Sequence, residues 1–482
     1  MATTESMFVN GKWVASSDGK TFETRNPATG EVLATLPAAT TADVDAAVKA
    51  ARAAFENPAW RAMDPSERGR LLMKAAALIR ARLDEIALVE SLDNGKTLRE
   101  AKGDITFAAQ TLEYYAGLAD KVQGATIPVP GPRMAHTIVE PVGVTAHIVP
   151  WNFPFQLAVR GIAPALAAGN TVVAKPASLT SLSLLKLAKA FEDAGLPAGV
   201  FNVVTGSGRV VGNHLASHPG VNSVTLTGSC ATGIEVLQAA AKNVVPVTLE
   251  LGGKSPNIVF PDADIDKAVK GAFYGIFLNA GQMCWAGSRL FVHESIHDEF
   301  VQKLVKMAEG WKLGAGQDKD TRMGPLVSKE QQDRVLEYVN IGLKEGATLA
   351  FGGKKPEDPA LQKGFFVQPT IFTNVRNDMR IAKEEIFGPV LAVLKFSTDE
   401  EALRLANESE FGLYAGVWTK NLQRAHKFAL GLDAGAVAIN EYPITFPQVP
   451  FTGFKQSGIG SEQGMTAMDF YTRRKAVITN LG

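Results

Sequence analysis

A thiol, a carboxylate and an amide in this chain have the types and settings that nucleophilic chemistry requires. Cys284 lies in Asn279-Ala280-Gly281-Gln282-Met283-Cys284-Trp285-Ala286-Gly287, where a helical pattern ends among small residues. A sulfur nucleophile needs that openness, because an electrophile must come close to it. Taken alone, the same residue could be a small buried hydrophobe, and Cys230 is read that way. Glu250 closes the apolar run Val245-Pro246-Val247-Thr248-Leu249 and precedes Leu251-Gly252-Gly253. Open α/β sheets place their sites at the carboxyl ends of buried strands. Partial burial there would raise a carboxyl pKa towards that of a usable general base. A surface acid at a strand end fits the same pattern. Asn152 sits in Pro150-Trp151-Asn152-Phe153-Pro154, a loop stiffened by two prolines and two aromatics. A rigid amide can donate to a developing oxyanion, though an Asx-type turn explains the residue as well.

Two glycine loops follow predicted strands. Gly206-Ser207-Gly208 opens a G-x-G-x-x-x-G run, which departs from the dinucleotide fingerprint. Thr227-Gly228-Ser229-Cys230-Ala231-Thr232-Gly233 opens a helix whose start could meet a pyrophosphate. Either loop could simply be a tight turn.

These groups need a frame to hold them. Past Pro141, short apolar runs at 143–148, 170–174, 200–204, 221–227 and 245–249 alternate with helical patterns near 155–167, 180–194, 208–217 and 231–242. That alternation predicts an α/β fold with a parallel sheet covered on both faces. It returns after Gly252-Gly253, the expected hinge. Strands are predicted there at 255–260, 289–293, 365–370, 390–396, 416–418 and 436–439, and helices near 264–278, 295–310, 328–345, 399–407 and 421–429. Upstream, Asn10-Gly11 and Asp18-Gly19 predict hairpins among short strands. Thr41 is the expected cap of a helix burying Val44, Ala47, Val48, Ala51 and Phe55, and Pro65 fits the first turn of the next.

The bulk properties narrow the partners. With 482 residues, at about 100–200 per domain, two to four units are expected. Lys+Arg and Asp+Glu both total 49, so nothing favours a nucleic-acid or membrane-surface partner, and a small molecule in a cleft is expected. Two cysteines do not make a disulfide framework. Without an apolar leader in Met1–Trp13 or a run of ~18 apolar residues, a cytoplasmic setting is the expectation.

Taken together, the segments resemble the aldehyde dehydrogenase superfamily nearly end to end. The resemblance is carried by Phe8–Gly11, Pro150–Pro154, Gly169–Pro176, Leu226–Ser229, Leu249–Gly253, Gly281–Cys284, Glu384–Val390 and Pro450–Gly458, in the family's order. It implies two parallel-sheet α/β domains, one for the cofactor (1–121 and 142–251) and one for catalysis (252–466). A small β oligomerisation arm (122–141 and 467–482) would build a homodimer or homotetramer. It also implies an NAD- or NADP-dependent oxidation of an aldehyde to an acid. Cys284 would attack the aldehyde, and Asn152 with the Cys284 backbone N–H would hold the oxyanion. Glu250 would activate water against the thioester. Lys175 would contact the adenosine ribose and Glu385 the nicotinamide ribose, with Phe387 near the nicotinamide. Trp151, Gly228, Ser229 and Gly233 would lie around the pyrophosphate, with Gln331 and Arg334 as further contacts. Lys175 and Glu385 also have a plainer reading as a surface cation and an exposed acid.

Departures from the family's pattern carry information. Members restricted to NAD often have Glu where this chain has Ser178. A carboxylate repels a 2′-phosphate and a hydroxyl can donate to one, so acceptance of NADP is expected. Arg160 resembles the arginine with which succinate-semialdehyde dehydrogenases grip the substrate carboxylate, but Leu278 stands where they carry a second. A semialdehyde is therefore an alternative substrate, and a structural ion pair is the plainer role for Arg160. Phe153, Trp285, Tyr442 and Phe451, with Phe155, are expected to wall an apolar tunnel for an aromatic or medium-chain aldehyde. A CoA-acylating enzyme and a catalytically silent binding scaffold are the remaining readings. Glu250 argues against the first, and the intact Cys284, Glu250 and Asn152 set against the second.

Overall fold

The computed structural model describes residues 3–482. Its first large sheet has eight strands in the order Gly458–Ile459, Val247–Glu250, Ser223–Thr227, Val144–Ile148, Thr171–Lys175, Phe201–Val203, Met7–Val9, Lys12–Val14. From Val247–Glu250 to Phe201–Val203 all neighbours run parallel. These strands are buried on both faces, under Pro154–Ala167 and Leu182–Ala194 on one and under Thr41–Glu56 and Cys230–Ala241 on the other. The edge strands are antiparallel, so the sheet is mixed around a parallel centre.

The second sheet has seven strands in the order Thr348–Phe351, Thr370–Thr373, Val390–Phe396, Arg289–His293, Pro256–Val259, Tyr414–Trp418, Ala436–Ile439. It too is parallel except at one edge. Gly252 and Gly253 lie in the irregular link between the sheets. A separate antiparallel arm joins Thr472–Asn480, Arg133–Pro141 and Thr126–Ile127.

Several local expectations shift. The Asn10-Gly11 hairpin forms, both residues taking the left-handed backbone such a turn needs (φ 53° and 71°). Asp18-Gly19 makes a turn but no hairpin. Its loop closes on itself through Gly19 N–H to Ser16 O and Lys20 N–H to Asp18, and Thr21–Arg25 pairs instead with Val32–Pro37. The first long helix, Thr41–Glu56, is capped by Thr40 rather than Thr41, because Asp43 completes a reciprocal capping box with it. The strand expected at 365–370 begins only at Thr370, since Phe365 is tied by backbone hydrogen bonds to Pro27 and Leu326. The segment 208–217 starts as a π-helical turn, Gly208–Gly212.

Candidate active site

The first sheet delivers its polar residues at strand carboxyl ends, as expected for an open α/β sheet. Glu250, Thr227 and Lys175 each end a strand, and Asn152 lies in the loop between Val144–Ile148 and Pro154–Ala167. Cys284 comes from the second unit. The helix Ile265–Phe277 ends there, and Asn279, Ala280 and Gly281 take left-handed backbone angles (φ 47°, 51° and 74°) that reverse the chain. Only Gly281 adopts such an angle without strain, and a Cβ on it would also lie 2.2 Å from Gly388 O.

Polar side chains hold this unusual turn. Asn279 Nδ2 donates to Asn152 O at 2.9 Å, and Asn152 Nδ2 donates to Gln282 O at 3.1 Å. Gln282 Nε2 donates to Asn279 O at 3.0 Å, while Gln282 Oε1 accepts from Val327 N at 2.9 Å. Thus the amide loop and the thiol loop are stitched to each other. A helical layer braces both. Asn94 Nδ2 donates to Trp151 O (2.8 Å), Glu90 Oε2 accepts from Phe155 N (3.1 Å), and Glu100 Oε1 accepts from Asn279 N (2.9 Å). Behind them lies the fully buried Lys96. Its ammonium pairs with Asp104 at 2.6 Å and Glu90 at 3.4 Å, and stands 4.2 Å from the Phe153 ring centre.

Two cavities meet at Cys284. One, of about 810 Å³, is lined by Trp151, Asn152, Gly228, Ser229, Gln331, Arg334, Glu385 and Phe387 among others. The other, of about 330 Å³, is lined by Phe153, Arg160, Trp285 and Phe451 together with Leu157, Leu278, Met283 and Ile444. Both include Cys284.

Not every expected residue reaches a cavity. Lys175 is buried with its ammonium on Pro176 O (2.8 Å), and burial pushes its pKa down to about 8. Gly233 faces Leu251, whose side chain would lie 2.7 Å from an added Cβ, so this glycine serves helix–strand packing. Ser178 is half-buried and does not line the larger cavity. Gln331 and Arg334 do line it, but each spends a donor bracing the backbone of Phe387 and Glu385, at 2.7 Å in both cases. Tyr442 lies behind the smaller cavity's wall, where its hydroxyl donates to Trp285 O and positions that ring. Arg160 is committed to a buried ion pair with Glu462, and its Nη2 is 3.4 Å from Thr227 Oγ1.

The electrostatics follow from burial. Glu250 is fully buried, and neither carboxyl oxygen has a hydrogen-bond partner among the described residues. Desolvation therefore holds its pKa well above the ordinary carboxyl range, partly opposed by Arg160 and reinforced by Glu462. Burial pushes the Cys284 thiol up to about 12, opposed by Arg160 and reinforced by Glu250 and Glu385. Burial also lifts Glu385 to about 7, although it accepts a hydrogen bond from Gly253 N (3.0 Å). Cys284 at rest is therefore a protonated thiol, and a base would have to remove its proton for it to serve as a nucleophile.

Comparison with known proteins agrees with this geometry. A model of the aldehyde dehydrogenase family matches residues 13–477. The chain is 49% identical over 477 residues to an aldehyde dehydrogenase of Emericella nidulans, covering 99% of this chain and 95% of that protein. It is 46% identical over 477 residues to the betaine aldehyde dehydrogenase of Bacillus subtilis, covering 99% and 97%. Among solved structures, the NAD+ complex of an aldehyde dehydrogenase from Bacillus cereus superposes with a TM-score of 0.97 at 50% identity, covering 99% of this chain and 97% of that one.

Proposed function

The chain belongs to the aldehyde dehydrogenase family, and from that premise we propose that it oxidises an uncharged aromatic or medium-chain aldehyde to the acid through a thioester on Cys284. The observation that carries this reading is that Cys284 lines both cavities, with the Asn152 amide on the larger one, while Glu250 is fully buried at its strand end and lines neither. The larger cavity suits a nicotinamide dinucleotide. Ser229 caps the helix Cys230–Ala241 at its rim, Glu385 offers a carboxylate to ribose hydroxyls, and Trp151 and Phe387 pack edge to face at 5.2 Å. When bound there, the dinucleotide supplies the hydride acceptor.

The chain's own residues do the rest. Glu250 in its ionised form accepts the thiol proton, and the Cys284 thiolate attacks the carbonyl carbon. Asn152 Nδ2 has a second N–H beyond the one given to Gln282, and this donates to the oxyanion beside the Cys284 backbone N–H. After hydride loss the product is a thioester. Glu250, having passed the thiol proton on to solvent, then removes a proton from water as that water attacks the acyl carbon, and the thiolate leaves. Glu250 also favours water over CoA as the acyl acceptor.

The smaller cavity supports a neutral substrate. Arg160 is neutralised by Glu462 and so is a poor grip for a substrate carboxylate. Glu100 and Asp104, at the same cavity, are engaged by Asn279 N and Lys96, leaving little free negative charge for a quaternary ammonium such as that of betaine aldehyde. Acceptance of NADP beside NAD rests on the sequence alone, on Ser178 in place of a carboxylate, since that residue does not line the larger cavity. The exposed arm, with Ile127, Met134, Ile138 and Ile478 at its surface, supports assembly as a homodimer or homotetramer. The free cysteines support a cytoplasmic setting, and among the described residues no helix is long and apolar enough to cross a membrane.

The test is a panel of benzaldehyde, hexanal, succinic semialdehyde and betaine aldehyde, assayed with both cofactors. The first two should exceed the charged pair in kcat/KM by at least about tenfold, roughly 1.4 kcal/mol. NADP should retain more than about a hundredth of the NAD value, roughly 2.7 kcal/mol. Cys284→Ala should abolish cofactor reduction. Preference for a charged aldehyde, or turnover by Cys284→Ala, would refute the substrate or the mechanism respectively.

A further inference from the structure

We propose that Gln463 fits the smaller cavity to an aldehyde that also carries a hydroxyl group, which the Gln463 amide binds. This deepens the reading of that cavity as the site of an uncharged aldehyde and rests on it.

The charged groups at the cavity wall are already spent. Glu100 is held by Thr97 and Asn279, Asp104 by Lys96, and Arg160 by Glu462. Two neutral amides are not. Gln156, in the first turn of the helix Pro154–Ala167, lines the cavity and makes no side-chain hydrogen bond among the described residues. Gln463 is only 1% exposed, and its Oε1 accepts from Thr445 Oγ1 at 3.1 Å. That is the one hydrogen bond of its amide among the described residues, so Nε2 is left without a partner. Thr445 and Gln463 both line the cavity, which puts the amide end of the side chain at its wall. A buried donor left unmade is costly and calls for a partner.

The backbone of Gln463 is strained as well. Its φ of 60° lies in the left-handed region, which a residue with a long side chain seldom enters. The chain is pinned on both sides of it. Glu462 exchanges two backbone hydrogen bonds with Phe451, at 2.7 and 2.8 Å. Gly464 N donates to Pro447 O at 2.9 Å, and Gly464 O accepts from the Tyr115 hydroxyl at 3.0 Å. Such strain persists only where the surroundings enforce it, and it gathers where ligands are clamped. The amide is thus presented from a fixed backbone and anchored at its oxygen.

The wall around it is otherwise apolar, with Phe153, Leu157, Trp285 and Phe451. A pocket of this kind binds the body of a ligand by area and orients it through a few placed polar groups. A hydroxyl matches the amide. Its oxygen accepts from Nε2, and because a hydroxyl also donates, it satisfies the amide in either orientation. A hydrocarbon in the same place leaves the donor unpaired, and a site with a buried unpaired group discriminates against that analogue.

The test compares isosteres: para-hydroxymethylbenzaldehyde against para-ethylbenzaldehyde, and the corresponding meta pair, which aims the substituent differently. In the wild type, the hydroxymethyl compound of at least one pair should exceed its ethyl partner in kcat/KM by about tenfold. Gln463→Met, which removes the amide, should bring that ratio to about one or below. Gln463→Gly should do the same, and it suits the left-handed backbone should the first variant fail to fold.

A wild-type ratio under about threefold in both pairs would overturn the proposal. So would a ratio that survives in the Gln463 variants, or one that is lost only in Gln156→Leu. Succinic semialdehyde and betaine aldehyde, assayed beside the isosteres, separate the two levels. If either charged aldehyde outruns all the isosteres, the reading of an uncharged substrate fails. If the isosteres outrun both charged aldehydes yet do not differ within a pair, only the hydroxyl-binding role of Gln463 fails.

Discussion

Around Lys96, each buried charge has a partner: the ammonium meets Asp104 and Glu90, Glu90 also accepts from Phe155 N, and Glu100 accepts from Thr97 and Asn279. Around Glu250, equally buried, the carboxyl oxygens have none. The first cluster flanks the amide and thiol loops and the second stands at the end of a strand beside them. Satisfied polar groups lock geometry, whereas a buried group left unsatisfied costs stability and calls for an explanation in function. Lys96 therefore reads as architecture, and Glu250, on the function proposed above, as chemistry held ready at some cost to the fold.

The sharpest way to break this contrast is to neutralise one member of each cluster. Glu250→Gln should lower steady-state turnover by about 10²–10⁴-fold with a Tm equal to or above that of the wild type. Lys96→Met should do the reverse. It should cost about 3–5 kcal/mol of stability, seen as a lower Tm, while folded protein assayed in the cold keeps most of its turnover. A large Tm loss in Glu250→Gln would erase the distinction.

Asn279 belongs to both worlds, because it links the braced layer to the loop that carries the amide. Asn279→Ala removes its bond to Asn152 O and should lower kcat about tenfold, roughly 1.4 kcal/mol, with a smaller change in KM. An equal change in both parameters would point to altered ground-state binding instead.

A last effect concerns Glu385. Burial lifts it to about 7 from an ordinary 4.5, so the fold keeps a proton that the unfolded chain releases earlier. Its contribution is fully present below the unfolded pKa and is lost as pH rises through about 7. In Glu385→Gln, the Tm difference between pH 5 and pH 8 should shrink by several degrees, measured by thermal melts without cofactor (about 2–4 °C per kcal/mol in large domains). An unchanged or steeper slope would contradict the burial argument.

The chain announces its chemistry more clearly than its supports. Cys284, Glu250 and Asn152 each have a plainer reading when taken alone and stand out only together with the family resemblance, whereas the alternating apolar runs predict both central sheets. Lys96, Glu100 and Asn279 did not stand out. Glu100 is visible as the fourth residue of a Thr97-x-x-Glu100 capping box, but its second oxygen reaches a partner 179 residues away, which no local pattern records. Arg160 was legible as a charge needing a reason, and its partner Glu462 was not, because only folding brings them together. Thr40 displaced Thr41 as the cap because the position of Asp43 decides the matter. Lys175, Ser178 and Gly233 were found by motif, and a motif records order along the chain without saying which way a side chain turns.

The strand Gly458–Ile459 gives the first sheet its last edge, and Ser457 seals the join by donating to Gly252 O across 205 residues of sequence. During synthesis, then, the strand that bears Glu250 waits with an unclaimed row of backbone amides and carbonyls while the whole second sheet is being translated. Such a bare edge invites mispairing with other nascent chains. A ribosome that stalls between the two segments would release a product whose first unit is nearly built yet sticky, so premature termination here should yield aggregates rather than a soluble half-enzyme.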